Sequence, residues 1–256
     1  MRHSVNHDDP AGSAIIFVHG LRGFVSCRLL GREIKYFRGL ADALKDFGIP
    51  LYFPPLPPCG TITERAASLA TYIAKISQRR LLLVGHSMGG LDCRRFIHSL
   101  DDKHLVRALV TLGTPHLGTP LADWLVKGSD LESKLARRWM MPGMGELTSM
   151  ALGHFNRETP DRSDVRYFSY AGCRPVVEMP LLFRRWARRL EEAAGDNDGQ
   201  VPVTSAAWGE GCDLIRADHW EMIGWSFGMP VAKQQRPFHH VALFRTILTK
   251  LVNELG

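Results

Sequence analysis

A serine held between glycines, Gly85-His86-Ser87-Met88-Gly89, closes the aliphatic run of residues 81–84. A serine hydroxyl is a poor nucleophile until a base takes its proton, so chemistry there calls for a histidine and an orienting acid. With this chain's Gly and Ser content, a bare G-x-S-x-G match is expected by chance about one time in eight, and the pattern alone decides little. Context decides more. The strand-like LLLVG (81–85) runs in and the helix-like LDCRRFIHSL (91–100) runs out, so the chain must turn sharply at Ser87. Such a turn pushes a serine out above the carboxyl edge of a parallel sheet, and flanking glycines leave the turn unobstructed.

The partners must come later in the chain, in the order acid then histidine, each on a loop after a later strand. Of eleven histidines, His219 follows the strand-like LIRA directly, while His239 and His240 sit beside a predicted C-terminal helix and suit surface or packing roles. The loop EEAAGDNDGQVPV (191–203) offers two acids, Asp196 and Asp198, and these residues alone leave the choice open. Asp213 and Asp218 fall too close to the histidine's own strand. Acyl chemistry also needs donors for the developing oxyanion. The amide of Met88, just after the nucleophile, is one candidate, and the loop His19-Gly20-Leu21 after the first strand is placed for the other. His19 could equally be a loop histidine bonded to backbone.

The elements that must hold these residues alternate. Strands are expected at AIIFV (14–18), LYF (51–53), LLLVG, LVRALVTL (105–112), VRYFSYAG (165–172) and CDLIRA (212–217). Helices are expected at EIKYFRGLADALKDF (33–47), with Ile34, Phe37, Leu40, Leu44 and Phe47 on one stripe, at ERAASLATYIAKISQ (64–78), and after the serine. Strand runs this uniformly apolar argue for a mostly parallel sheet covered on both faces. Residues 119–163 carry no clear strand. There Leu131, Leu135 and Trp139 recur every four residues beside Met140, Met141 and Met144, as a core-packing helix or a cap over an apolar pocket.

The bulk numbers suit one ordinary globular domain: 256 residues, 45% hydrophobic and 23% charged. The net charge of +6 is spread among mixed acids and bases, which disfavours nucleic acid as a partner. Its one concentration is FRRWARRLEEAAG (183–195), where Phe183, Trp186 and Leu190 take helical spacing and Arg184, Arg185, Arg188 and Arg189 fall mostly elsewhere. That reads as a solvated helix face, or as a basic surface for acidic lipid or substrate. Five scattered cysteines with no CxxC pair suggest neither zinc nor a disulfide framework. The polar opening MRHSVNHDDPAGS has no secretory h-region and no run is long enough to span a bilayer, so a cytoplasmic location is expected.

Six blocks in order, FVHGLRGF, LVGHSMGGLDCRRF, TLGTPHLGTPLADW, FNRETPD, GDNDGQVPVTSAAWGE and ADHWEMIGW, resemble the triacylglycerol-lipase family of α/β-hydrolases over about residues 15–227. The resemblance implies an α/β-hydrolase fold with a mostly parallel central sheet, helices on both faces and a helical cap or lid inserted at about 119–163 of a single 1–256 domain. It implies Ser87 as nucleophile, Asp198 rather than Asp196 as acid, His219 as base, and the Leu21 and Met88 amides as oxyanion hole. His19, Gly20, Gly85, His86 and Gly89 would support that machinery, and Leu131, Leu135, Trp139, Met140 and Met141 would line the lid or acyl pocket. The implied reaction is hydrolysis of lipid-like or acyl esters through an acyl-enzyme, with transient contact with a lipid surface and no cofactor. Calcium-binding bacterial members tend to carry an aspartate two residues after the histidine, where Glu221 stands here, so no metal is expected. The same triad serves thioesterases, amidases and acyltransferases, and a silent binding module would usually have lost one member.

Overall fold

The computed structural model describes residues 12–29, 31–227 and 238–255. The polar opening read above for a targeting signal lies, except for its last two residues, outside them. Six strands form one sheet in the order β4-β1-β5-β6-β7-β8, with every neighbouring pair parallel. They are β1 (Ser13–Val18), β4 (Leu51–Tyr52), β5 (Arg80–His86), β6 (Val106–Leu112), β7 (Arg166–Gly172) and β8 (Cys212–Ile215). A separate antiparallel hairpin pairs β2 (Ser26–Leu29) with β3 (Arg32–Lys35).

Alternation along the strands divides the core in two. Ile15, Phe17, Leu82, Val84, Ala108 and Val110 face one side, where they pack with Leu40 and with Phe244, Ile247 and Leu248 of the C-terminal helix α8 (His240–Leu255). Ala14, Ile16, Val18, Leu81, Leu83 and Leu109 face the other, against α2 (Ile62–Ile73) and α3 (Met88–Ser99). Sealing each of the valine, leucine, isoleucine and phenylalanine side chains from water is worth about 1.5–3 kcal/mol, so the sheet is the stiff frame of the molecule. Since all six strands run the same way, the loops after β1, β5, β6, β7 and β8 emerge at one edge. Val18 pairs with Gly85, and His86 with Leu112, so the β1 and β6 loops flank the serine turn.

One expected element is wrong in kind. The helix read over 33–47 is the end of the hairpin, a single turn α1 (Leu40–Ala43) and a 3₁₀ turn at Lys45–Phe47. Gly39, at φ 68°, interrupts any continuous helix before Leu40. The apolar stripe still does its work, with Phe37, Leu40 and Leu44 buried, but it is assembled from three local structures.

Residues 119–163 contain no strand and fold as α4 (Pro120–Lys127), α5 (Leu131–Met140), a 3₁₀ turn (Gly143–Leu147) and α6 (Ser149–Glu158). The stripe of α5 does not point into a core: Leu131, Leu135 and Trp139 are all exposed. The basic cluster lies on α7 (Leu181–Ala194), which buries Ala187 and Leu190 and exposes Arg185, Arg188 and Arg189. Among the described residues, no helix is long and apolar enough to cross a membrane.

Candidate active site

Ser87 occupies the turn between β5 and α3 with φ 55° and ψ −133°, a conformation that costs a non-glycine residue about 1–3 kcal/mol. The surrounding bonds hold it there. Its amide donates to the Leu112 carbonyl at 2.9 Å, and its carbonyl accepts from the Thr114 hydroxyl at 2.8 Å and the Gly90 amide at 3.1 Å. The elbow glycines serve close approach: a Cβ on Gly85 would stand 2.5 Å from the Gly90 Cα, and one on Gly89 2.3 Å from the Val18 carbonyl oxygen. The positive φ falls on the serine itself.

Asp198 and His219 are both buried and joined by a 2.7 Å hydrogen bond from the imidazole Nδ1 to Oδ2. A carboxylate can only accept, so Nδ1 carries the proton and Nε2 of the neutral ring is left as the base. The other carboxylate oxygen accepts from the Val201 and Gln200 amides at 2.7 and 2.9 Å, which fixes the carboxyl plane. The His219 amide closes the unit by donating to the Asp198 carbonyl at 2.9 Å. Room for this pair comes from Gly113 and Gly172, where an added Cβ would fall 2.8 Å from Asp198 Oδ2 and Cβ respectively. Asp196, the rival acid, is exposed and engages Val203 through its backbone carbonyl. His240 donates to the Arg38 carbonyl, and His239 is exposed.

The loop after β1 is held by charge. Arg65, fully buried, donates to the Asp92 carboxylate at 2.8 Å, the His19 carbonyl at 2.6 Å and the Pro57 carbonyl at 2.7 Å. His19 accepts from the Leu56 amide at Nε2, so its Nδ1 carries the proton and donates to the Gly20 carbonyl. Burial, helped by the Arg65 charge, holds its pKa down at about 4. Burial also outweighs Arg65 at Asp92 and lifts that carboxyl to about 6. Neither the Leu21 nor the Met88 amide donates to another protein group among the described residues, and Leu21 and Ser87 line the same cavity.

A second chain of bonds ties the three loops together. The Gly20 amide donates to the Tyr36 oxygen at 3.0 Å, and the Tyr36 hydroxyl donates to His86 Nδ1 at 2.8 Å. His86 Nε2 then donates to the His219 carbonyl at 2.9 Å. Every proton in the chain is assigned by its neighbours, because the last acceptor is a carbonyl. Burial lowers the His86 pKa well below its ordinary value, which keeps the ring neutral in this role. Tyr36, Arg65 and Asp92 escaped the sequence reading. The available signal was an arginine on the apolar stripe of α2, between Ile62 and Leu69.

Ser87 and His219 meet on the wall of one cavity of about 590 Å³. No hydrogen bond joins the Ser87 hydroxyl to the imidazole among the described residues. Leu125, Leu135, Trp139, Met140 and Trp186 make much of the remaining wall apolar, whereas Leu131 and Met141, expected with them, are not part of it. Below the histidine, Asp218 accepts from the Trp220 and Glu221 amides, and burial lifts its pKa to about 6. Glu221 accepts from the Asp218 amide and pairs with Arg174. The described residues contain no group of three His, Cys, Asp or Glu able to hold a metal ion.

Comparison with known proteins agrees with this architecture. Triacylglycerol lipase 2 of Saccharomyces cerevisiae is 32% identical over 207 residues, covering 75% of this chain and 63% of its own length, so the match spans under two thirds of that relative. A triacylglycerol lipase of Pseudarthrobacter phenanthrenivorans is 29% identical over 118 residues, 43% of this chain and 35% of its own. In fold, the mature Bacillus licheniformis lipase superposes with a TM-score of 0.72 at 24% identity, over 97% of this chain and 95% of its own. A metagenomic carboxyl esterase gives 0.77 at 20% identity, over 95% and 76%. A family model described as the alpha/beta hydrolase family matches residues 15–238, in agreement with the mostly parallel sheet flanked by helices. The chain belongs to the alpha/beta hydrolase family.

Proposed function

We propose that the protein is a serine carboxylic-ester hydrolase, a lipase or esterase working through Ser87, His219 and Asp198. The observation that carries the reading is the strained Ser87 at the end of a central strand, sharing a cavity with a histidine whose Nδ1 is locked onto a buried carboxylate. His219 Nε2 takes the Ser87 proton as Oγ attacks the ester carbonyl, and the imidazolium is steadied by Asp198. The Leu21 and Met88 amides, which donate to no other protein group among the described residues, receive the oxyanion. Collapse expels the alcohol with the proton from His219 and leaves an acyl group on Ser87. Water, deprotonated by the same imidazole, then releases the acid and restores the serine. Formation of the Ser87–His219 hydrogen bond belongs to the substrate complex, since such bonds commonly tighten only there.

The apolar cavity wall suits an acyl chain, and the names of the relatives point to acylglycerols. Residues 119–163 act in this reading as the cap, with Leu135, Trp139 and Met140 between the acyl chain and solvent. A serine-reactive fluorophosphonate, with the modified peptide mapped by mass spectrometry, tests the assignment. Labelling at Ser87 that disappears in His219→Ala is the expected result. An intact Ser87 peptide, in detergent as well as in buffer, would refute it.

A further inference from the structure

The stripe of α5 points outward. Leu131, Leu135 and Trp139 are 72%, 48% and 61% exposed, and Lys134 and Arg138 share their face at helical spacing. The first turn of α7 repeats the arrangement: Leu181 and Leu182 are 79% and 73% exposed, with Arg185, Arg188 and Arg189 following on the same face. Large aliphatic side chains in water need a reason when they cluster around cations. The two helices are coupled, because the Trp186 indole donates to Glu132 at 2.8 Å and Arg185 lies 3.6 Å from the same carboxylate. They also flank one opening, since Leu135 and Trp139 of α5 and Phe183 and Trp186 of α7 all line the cavity that holds Ser87.

We propose that this face docks on an anionic lipid bilayer, with the cavity mouth turned toward it. The leucines and Trp139 enter the acyl boundary, and the long side chains of Lys134, Arg138, Arg185 and Arg188 reach the phosphates around them. Charge complementarity selects this occupant. Across the two helices those cations and Arg189 are exposed, against the exposed carboxylates of Glu191 and Glu192 near the far end of α7 and Glu132, which is paired. A neutral apolar partner would leave Lys134, Arg138 and Arg188 unmatched, and nucleic acid would leave the leucines so. The inference concerns where the hydrolase reads its substrate from; it rests on the proposed function only for that meaning, and the docking itself is measured without catalysis.

The test is co-sedimentation of the full chain with phosphatidylcholine vesicles, with and without about one third phosphatidylglycerol. Binding at least tenfold tighter to the anionic vesicles, and weakened by added salt, is expected. In Arg185→Gln/Arg188→Gln it should weaken on the order of fivefold per cation removed. Leu181→Ser/Leu182→Ser should weaken it by about tenfold or more, while Lys45→Gln/Lys75→Gln, exposed cations elsewhere, should not. Equal binding to both vesicle types, or equal loss in the Lys45/Lys75 variant, overturns the proposal. So does a dimer in sedimentation that Leu181→Ser/Leu182→Ser makes monomeric, with no vesicle binding. Hydrolysis of a soluble short-chain ester should be unchanged in all three variants. Its absence from the unmodified protein would count against the proposed function and leave the docking result standing.

Discussion

The β1 loop should be the acid-sensitive part of this site, and His19 gives the size of the effect. Its ordinary pKa of 6.5 is held at about 4 in the folded protein, chiefly by burial and then by Arg65. Above pH 6.5 the ring is neutral whether the chain is folded or not. Between 6.5 and about 4 only the unfolded chain takes the proton, so stability present at neutral pH is lost as the pH falls through this window. At about 1.4 kcal/mol for each tenfold in proton affinity, the loss amounts to about 3 kcal/mol. Two buried carboxyls oppose it. Asp92 and Asp218, lifted from 3.8 to about 6, each bind a proton more readily when folded, and each returns a comparable amount between about pH 6 and 3.8. The absolute pH profile therefore does not isolate His19, but a difference does. In His19→Gln the side chain can still accept from the Leu56 amide and carries no titrating group. Urea unfolding at several pH values should show the stability gap between the two proteins shift by about 3 kcal/mol from pH 7 to pH 4, in favour of the variant at acid pH. Two parallel profiles would mean that His19 is not held neutral, and would remove the argument for an Arg65-clamped loop.

Gly20→Ala would place a Cβ 2.7 Å from the Ser87 Cβ and 3.1 Å from the His86 carbonyl oxygen, so the loop must back away from the elbow. If the Leu21 amide serves the oxyanion, kcat for a p-nitrophenyl ester should fall on the order of a hundredfold or more, with KM little changed. Asp198→Asn should lower kcat by about a thousandfold to ten-thousandfold by releasing the imidazole tautomer, whereas Asp196→Asn should leave it within about threefold; equal effects would return the acid to open choice. Tyr36→Phe leaves the Gly20 amide and His86 Nδ1 without their partner, and calorimetry should show a loss of about 1–3 kcal/mol for each buried orphan. An unchanged melting temperature would show that the tyrosine bridge does not brace the loops.

The parallel-sheet architecture of this chain was readable without coordinates. Short apolar runs identified all six strands of the parallel sheet; the inner ones are apolar because both their faces are sealed, whereas β8, at the edge, leaves Asp213 and Leu214 exposed. The elbow at Ser87 and the histidine after the last strand followed from chain order, since in a parallel sheet those loops have to share an edge. The residues themselves left Asp196 and Asp198 open. Both sit in the same turn-rich loop, and the choice depends on which carboxyl the glycines at 113 and 172 leave room for. The stretch 33–47 misled the helical reading because a 3.6-residue stripe can be filled by a strand end, a turn and a 3₁₀ segment that reach one core together. The same blindness hid Tyr36, whose hydroxyl acts only by reaching His86, fifty residues on. Periodicity tells which residues share a face, but not what that face meets. It could not say that Leu131, Leu135 and Trp139 look out to solvent beside Lys134 and Arg138, nor that Arg65, on an apolar stripe, is neutralised by Asp92 and gives further donors to the His19 and Pro57 carbonyls.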